Sequence, residues 1–174
     1  MKRLLLLLFL VAFASCMGTR VVYDYDKAVN FNNYVKYSYY PELNSGLTQL
    51  DEKRLLRVLD STLLTKGFIL DEEPDFYVNI TSNAYRSQPQ NNVGVGVGGT
   101  GRNVGGGISI GLPLGNSGMQ RSIQFDFVDV AKDQLFWQAI AEQSFRDNAS
   151  PSVREQQLKE VVDKVFKKFP PYTK

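Results

Sequence analysis

Histidine is absent from the 174 residues, and cysteine occurs once, at Cys16. The first absence removes the commonest general base and the commonest neutral metal ligand. The second excludes an intramolecular disulfide and a thiolate zinc cluster. An excess of charge is missing too. The net +2 resides in Lys2 and Arg3, and the rest of the chain sets 18 basic residues against 18 acidic ones. Nucleic-acid binding draws on a dense basic footprint that releases counterions from phosphates, so nucleic acid is not an expected partner. One long apolar run exists, Leu4 to Ala14. As a helix it would reach only ~16 Å, about half a bilayer core, which argues against a permanent transmembrane segment.

What is present at the amino terminus has the form of a secretory signal: Met1, Lys2 and Arg3, then the apolar run, then small residues. Residues 1–15 are therefore expected to be a signal peptide. Phe13, Ala14 and Ser15 followed by Cys16 resemble the bacterial lipobox, with Phe13 standing where leucine or a similar aliphatic is usual. By that resemblance Cys16 becomes the first mature residue and carries diacylglycerol and an amide-linked chain such as palmitate. A lone cysteine is more often a buried core thiol, but the position directly after an apolar run and small residues favours lipidation. Met17 and Gly18 follow, and the lack of aspartate at the second mature position implies, by the same resemblance, the periplasmic face of the outer membrane. Residues 16–20 read as a lipidated terminus and tether, and 21–174 as a single domain, since the remaining length suits one hydrophobic core rather than two.

Within that domain, Val21 to Asp26 and Val35 to Tyr40 are rich in β-branched and aromatic residues, and Pro41 closes the second stretch. Six of the nine tyrosines lie between Tyr23 and Tyr40. A ligand platform for sugars or peptides is one reading, but packed rings with wet hydroxyls on a half-buried strand explain them more simply. A helix is expected from Thr48 to Lys66. Thr48 and Asp51 have capping-box spacing, Leu55, Leu56, Leu59 and Leu63 form one apolar stripe, and Gly67 offers a left-handed cap over which Phe68 folds back. The acidic stretch Asp71, Glu72, Glu73 and Asp75 lacks the ligand spacing and central glycine of a calcium loop and reads as a solvated turn. Phe76, Val78 and Ile80 then alternate with polar residues as a strand with one buried face.

Residues 94–118 contain 11 of the 14 glycines. Gly96, Gly98, Gly99 and Gly101 fit the dinucleotide-binding spacing, but further glycine and Pro113 follow where that motif needs a helix. A long, flexible hairpin connection with paired flanks is the expectation, and it is also a candidate binding element, since flexible insertions on a rigid scaffold often carry recognition. Next, Ile123, Phe125 and Phe127 are expected to form a hairpin with Leu135, Trp137, Ala139 and Ala141, all inward, around a turn at 131–134. A last helix starts after Asn148 to Ser150 with Pro151 at its first position, or is capped by Ser152 with Glu155. Its stripe is Leu158, Val161, Val162, Val165, Phe166 and Phe169, and Pro170 and Pro171 end it.

The expected class is α+β: an antiparallel sheet with two amphipathic helices packed on one face, in the order strand, helix, strand, glycine-rich loop, hairpin, helix. Lys66-Gly67-Phe68, Pro74-Asp75-Phe76, Phe127-Val128-Asp129, Leu135-Phe136-Trp137 and Phe169-Pro170-Pro171, in this order, resemble lipoproteins of the domain-of-unknown-function family 4136 over residues 20–172. The resemblance implies an envelope location and a compact α+β domain, and it implies no catalytic residues.

The function expected from the sequence is a membrane-anchored, non-enzymatic binding or structural module without cofactor or metal, whose partner is an envelope protein or a glycan. An accessory lipoprotein of an envelope transport or assembly complex is the alternative. A glycoside hydrolase working with carboxylates alone is the remaining reading, and its candidates would be Asp75, Asp126, Asp129 and Glu142. Asp126 and Asp129, three apart on a strand, point to opposite faces.

Overall fold

The computed structural model describes residues 18–86, 119–146 and 148–171. The expected signal peptide, Cys16 and the glycine-rich segment 94–118 lie outside the described residues. Six strands form one sheet: β1 (Arg20–Tyr25), β2 (Lys36–Tyr39), β3 (Ile69–Leu70), β4 (Phe76–Arg86), β5 (Met119–Asp129) and β6 (Gln134–Phe145). Their order across the sheet is β1-β6-β5-β4-β2-β3. A 3-10 turn, Phe31–Asn33, precedes β2, and two helices, α1 (Gln49–Thr65) and α2 (Pro151–Phe166), are the other elements among the described residues. No helix among the described residues is long and apolar enough to cross a membrane.

The α+β class holds, but the sheet is mixed rather than wholly antiparallel. β2 pairs in parallel with both β3 and β4, because α1 carries the chain back along the sheet before the next strand begins, and a return of that kind gives parallel neighbours. The element order also differs from expectation. Two strands precede α1 and they lie on different sides of the sheet: β1 pairs antiparallel with β6 at one edge, while β2 joins β4 near the other.

The segments flanking the glycine-rich stretch pair as expected, from Phe76↔Asp129 to Arg86↔Met119. The β5–β6 hairpin forms around a turn in which Asp133 takes φ 52°, but its inward set is corrected at one point. A bulge between Phe127 and Val128 aligns Phe127 with Trp137 and Val128 with Leu135. Phe136 is therefore the extra residue, and a bulge interrupts strict alternation. Phe136 and Trp137 are both buried, whereas Leu135 is 51% exposed.

Helix ends follow the capping chemistry. Thr48 is the N-cap of α1 and its hydroxyl accepts from the Asp51 amide. At the other end the Gly67 amide donates to the Leu64 carbonyl and the Phe68 amide to the Leu63 carbonyl, with Gly67 at φ 90°. These bonds form a Schellman motif, which satisfies last-turn carbonyls and tucks Phe68 into the core. Ser150, not Ser152, caps α2, with Pro151 in its first turn. The helix stops at Phe166, so Phe169 enters the core from the following turn rather than as a helical residue.

Both helices cover one face of the sheet. Leu55, Leu59 and Leu63 of α1 and Val161, Val162, Val165 and Phe166 of α2 are buried with Val78, Ile80, Ile123, Phe125, Phe127, Trp137, Ala139 and Ala141 of the sheet. Trp137 is the centre of the aromatic packing, its ring centroid 4.7 Å from Phe127, 4.8 Å from Phe169 and 5.6 Å from Phe166. Polar bonds pin the layers at their edges. Tyr37 and Tyr39 both donate to Asp60 Oδ1 on α1, at 2.8 and 2.5 Å, and Tyr23 donates to the Lys164 carbonyl on α2 at 2.7 Å. Burial and the bond to Asp60 push both the Tyr37 and Tyr39 hydroxyls well above the ordinary tyrosine range, so they remain protonated donors.

Candidate functional site

No described helix covers the other face of the sheet, and strand register decides which side chains share it. Asp24 lies opposite Gln138, Gln138 opposite Asp126, and Asp126 opposite Asn79. Residues directly opposite one another share a face, so a polar row crosses four strands. The Tyr40 amide bonds the Val78 carbonyl at 3.4 Å, which brings Tyr40 to the end of this row. On one side of it runs a more apolar row, Tyr77, Val128 and Leu135.

Between these rows lies a groove of about 580 Å³ lined by Tyr40, Pro41, Glu42, Asn79, Asp126, Val128, Leu135 and Gln138. That volume is within the range of small-ligand sites, roughly 300 to 1,000 Å³. Asp126 is held in place by amides: Gln124 Nε2 donates to both its oxygens at 3.0 and 2.9 Å, and Gln138 Nε2 donates to Oδ1 at 2.7 Å. The Tyr40 and Tyr77 rings pack at 5.1 Å. The lining combines planar hydrogen-bonding groups, an aromatic wall and short aliphatic walls, and among the described residues it contains no lysine or arginine. Such a surface can hold a ligand by hydrogen bonds and apolar contact, and it disfavours anions.

The four carboxylates considered for hydrolysis do not gather in this groove. Asp126 alone lines it. Glu142 sits on the same face, where Tyr85 donates to it at 3.3 Å. Asp129 lies on the covered face, as the strand period requires, and Asp75 precedes β4. The structure does bring Asp75 and Asp129 to a common shallow pocket of about 300 Å³, but both are occupied with the fold. Asp75 Oδ2 accepts the Val35 and Lys36 amides, each at 2.8 Å. Asp129 accepts the Tyr34 hydroxyl at 2.7 Å and the Lys132 amide at 2.8 Å, with Lys132 Nζ at 3.4 Å. Burial alone would raise Asp129. The Tyr34 and Lys132 hydrogen bonds and the Lys132 charge outweigh it and hold the carboxyl below its ordinary range, the opposite of what a proton-donating acid needs.

Among the described residues, no cluster of three or more acidic, cysteine or histidine side chains could hold a metal ion. Of the six tyrosines between Tyr23 and Tyr40, only Tyr40 lines the groove, while Tyr34 and Tyr37 are buried in the core. Sequence reasoning passed over the groove because its walls come from the outward positions of β4, β5 and β6 and from the turn after β2. The signal available was the outward polar set Asn79, Asp126 and Gln138.

The model of one protein family matches residues 21–171. The chain belongs to the family described as Domain of unknown function (DUF4136). No curated protein matches the chain in sequence. Among solved structures, the DUF4136 domain is similar to a PDZ domain protein from Parabacteroides distasonis ATCC 8503, with a TM-score of 0.56 and 13% identity over 88% of this chain and 35% of that one. The chain thus spans about a third of that protein's length, and the likeness is one of fold. PelC dodecamers from Paraburkholderia phytofirmans align at TM-scores of 0.47 and 0.49, with 11% and 9% identity, over 86% of this chain and 95% of theirs.

Proposed function

We propose that this DUF4136 domain is the exported part of an envelope lipoprotein, held by acyl chains on Cys16 at the periplasmic face of the outer membrane and acting as a non-enzymatic binding module. The observation that carries the reading is the succession of Lys2 and Arg3, the apolar run to Ala14, Ser15 and Cys16. Each buried methylene contributes ~0.8 kcal/mol, and stable anchoring needs more than one chain, which a lipidated amino-terminal cysteine provides. The groove supports the binding role, because it presents hydrogen-bonding groups on a face that no described helix covers. An envelope protein or a glycan is the partner class that suits it. The use of Asp75 and Asp129 as structural acceptors supports a module without hydrolytic chemistry.

Fractionation of cells producing the wild type and Cys16→Ser tests this reading. The wild type sediments with outer membranes and the variant leaves them. A wild type found in the cytoplasm, or a variant that still sediments with the outer membranes, contradicts it.

A further inference from the structure

The four neighbouring strands β1, β6, β5 and β4 have ends of opposite character. At one rim of the sheet stand Arg20, the first residue of β1, Arg146, just past β6, Arg121, near the start of β5, and Arg86, the last residue of β4. At the opposite rim stand Asp26, Asp133, Asp129 and Asp75, at or one residue beyond the other ends of the same strands. Arg121 is buried, its guanidinium 3.8 Å from the Phe145 ring centroid. Arg20, Arg86 and Arg146 are exposed. Glu142 lies opposite Arg20, Asp147 follows Arg146 in the sequence, and Asp51, which shares a small pocket with Arg121, is engaged by Arg54 and Arg154. Lysines are present at the aspartate rim: Lys36 and Lys132 are engaged by Asp71 and Asp129 at 3.2 and 3.4 Å and Lys66 by the Phe169 carbonyl, while Lys27, beside Asp26, is exposed.

The rim with the arginines is also the one that a tether would reach first. Cys16 is four residues before Arg20, a span of at most ~14 Å. The run from Arg20 to Asp26 along β1 covers ~20 Å. With Cys16 fixed in lipid, the tether is too short to let the domain stand on its aspartate rim. It leaves two postures, upright on the arginines or lying on a side.

We propose that the rim bearing Arg20, Arg86 and Arg146 docks on anionic phospholipid headgroups and stands the domain upright, with the sheet running away from the membrane. The inference rests on the lipidation of Cys16 proposed above. Charge complementarity selects this posture: an arginine near an anionic leaflet contributes about a five-fold preference, so three together favour the upright state by roughly 100-fold. The Asp126 row lies toward the far end of β5, so the groove is displayed away from the lipid.

The test uses the full acylated chain in nanodiscs of phosphatidylcholine, alone or mixed with phosphatidylglycerol, doped with a lipid carrying a paramagnetic headgroup. Broadening of amide resonances at Arg20, Arg86 and Arg146 is compared with that at Asp26, Asp75 and Asp133. With phosphatidylglycerol the arginine rim broadens several-fold more. The triple variant Arg20→Gln, Arg86→Gln, Arg146→Gln loses the dependence on phosphatidylglycerol, and the triple lysine variant keeps it. Equal broadening at the two rims, or a contrast indifferent to lipid charge, overturns the docking while leaving the tether intact. Failure of the chain to attach to either disc overturns the tether and this posture with it.

Discussion

Asp51, in the first turn of α1, accepts a 2.7 Å charged hydrogen bond from Arg154, in the first turn of α2, across 103 positions of sequence. Arg54 binds the other oxygen of the same carboxylate at 2.7 Å, and Thr48 adds a hydrogen bond. Burial on its own would raise Asp51, but these partners outweigh it and hold the carboxyl below its ordinary range. Lys66 Nζ bonds the Phe169 carbonyl at 2.8 Å, so the two helices are fastened at both ends.

A carboxyl whose folded pKa is depressed stabilises the fold above its unfolded pKa, about 3.9 for aspartate, and that contribution fades as pH falls through the lower folded value. Asp51→Ala should cost ~3 kcal/mol near neutral pH, because it removes the acceptor shared by two guanidinium groups from a buried site. Urea denaturation of wild type and variant at neutral pH and below pH ~3 checks this: the difference between them should shrink in acid. A constant difference would show that packing, not charge, accounts for it.

Trp137 is 1% exposed at the centre of the aromatic core. Trp137→Ala should cost ~3 to 5 kcal/mol through lost transfer energy and the cavity left behind. For a domain of this size that lowers the melting temperature by about 10 °C or more. Calorimetry showing an unchanged transition would mean that Phe127, Phe166 and Phe169 do not close on the indole as described.

Gly46 has φ 69°, and a Cβ there would meet the Ser82 carbonyl oxygen at 2.7 Å. The same contact is fixed by the Ser82 amide donating to the Ser45 carbonyl at 2.7 Å, so neither backbone can yield cheaply. Gly46→Ala should destabilise by ~1 to 3 kcal/mol. Thermal melts that match the wild type would contradict the close approach of this turn to β4.

Local features were legible in the sequence wherever the physics is local. Thr48 and Gly67 mark the ends of α1 through hydrogen bonds made within four or five residues, and Phe76, Val78 and Ile80 reveal their buried face by the strand period alone. Val21 to Asp26 and Val35 to Tyr40 together read as holding at least one strand, yet nothing within the first segment names β6 as its neighbour, since the pairing joins residues more than a hundred positions apart. Leu135 read as inward because alternation assumes an unbroken ladder, and one bulged residue at Phe136 reversed it. The groove was hidden for the same reason as the sheet order: Asn79, Asp126 and Gln138 become neighbours only once three strands are in register.

The groove yields its own prediction. Asp126→Ala should change stability by less than ~1 kcal/mol, because its bonds are made on a half-solvated surface. A photo-reactive residue at Leu135 should cross-link an envelope component in living cells, and Asp126→Ala should suppress that adduct. Equal cross-linking from exposed Lys159 on α2, or indifference to Asp126→Ala, would remove the groove from the account.

The anchor is tested most directly by intact mass measurement of protein extracted from outer membranes. The account predicts a chain that begins at Cys16 and carries diacylglycerol and an amide-linked acyl chain. A mass corresponding to an unmodified Cys16, or to a chain that still includes Met1 to Ser15, would contradict it.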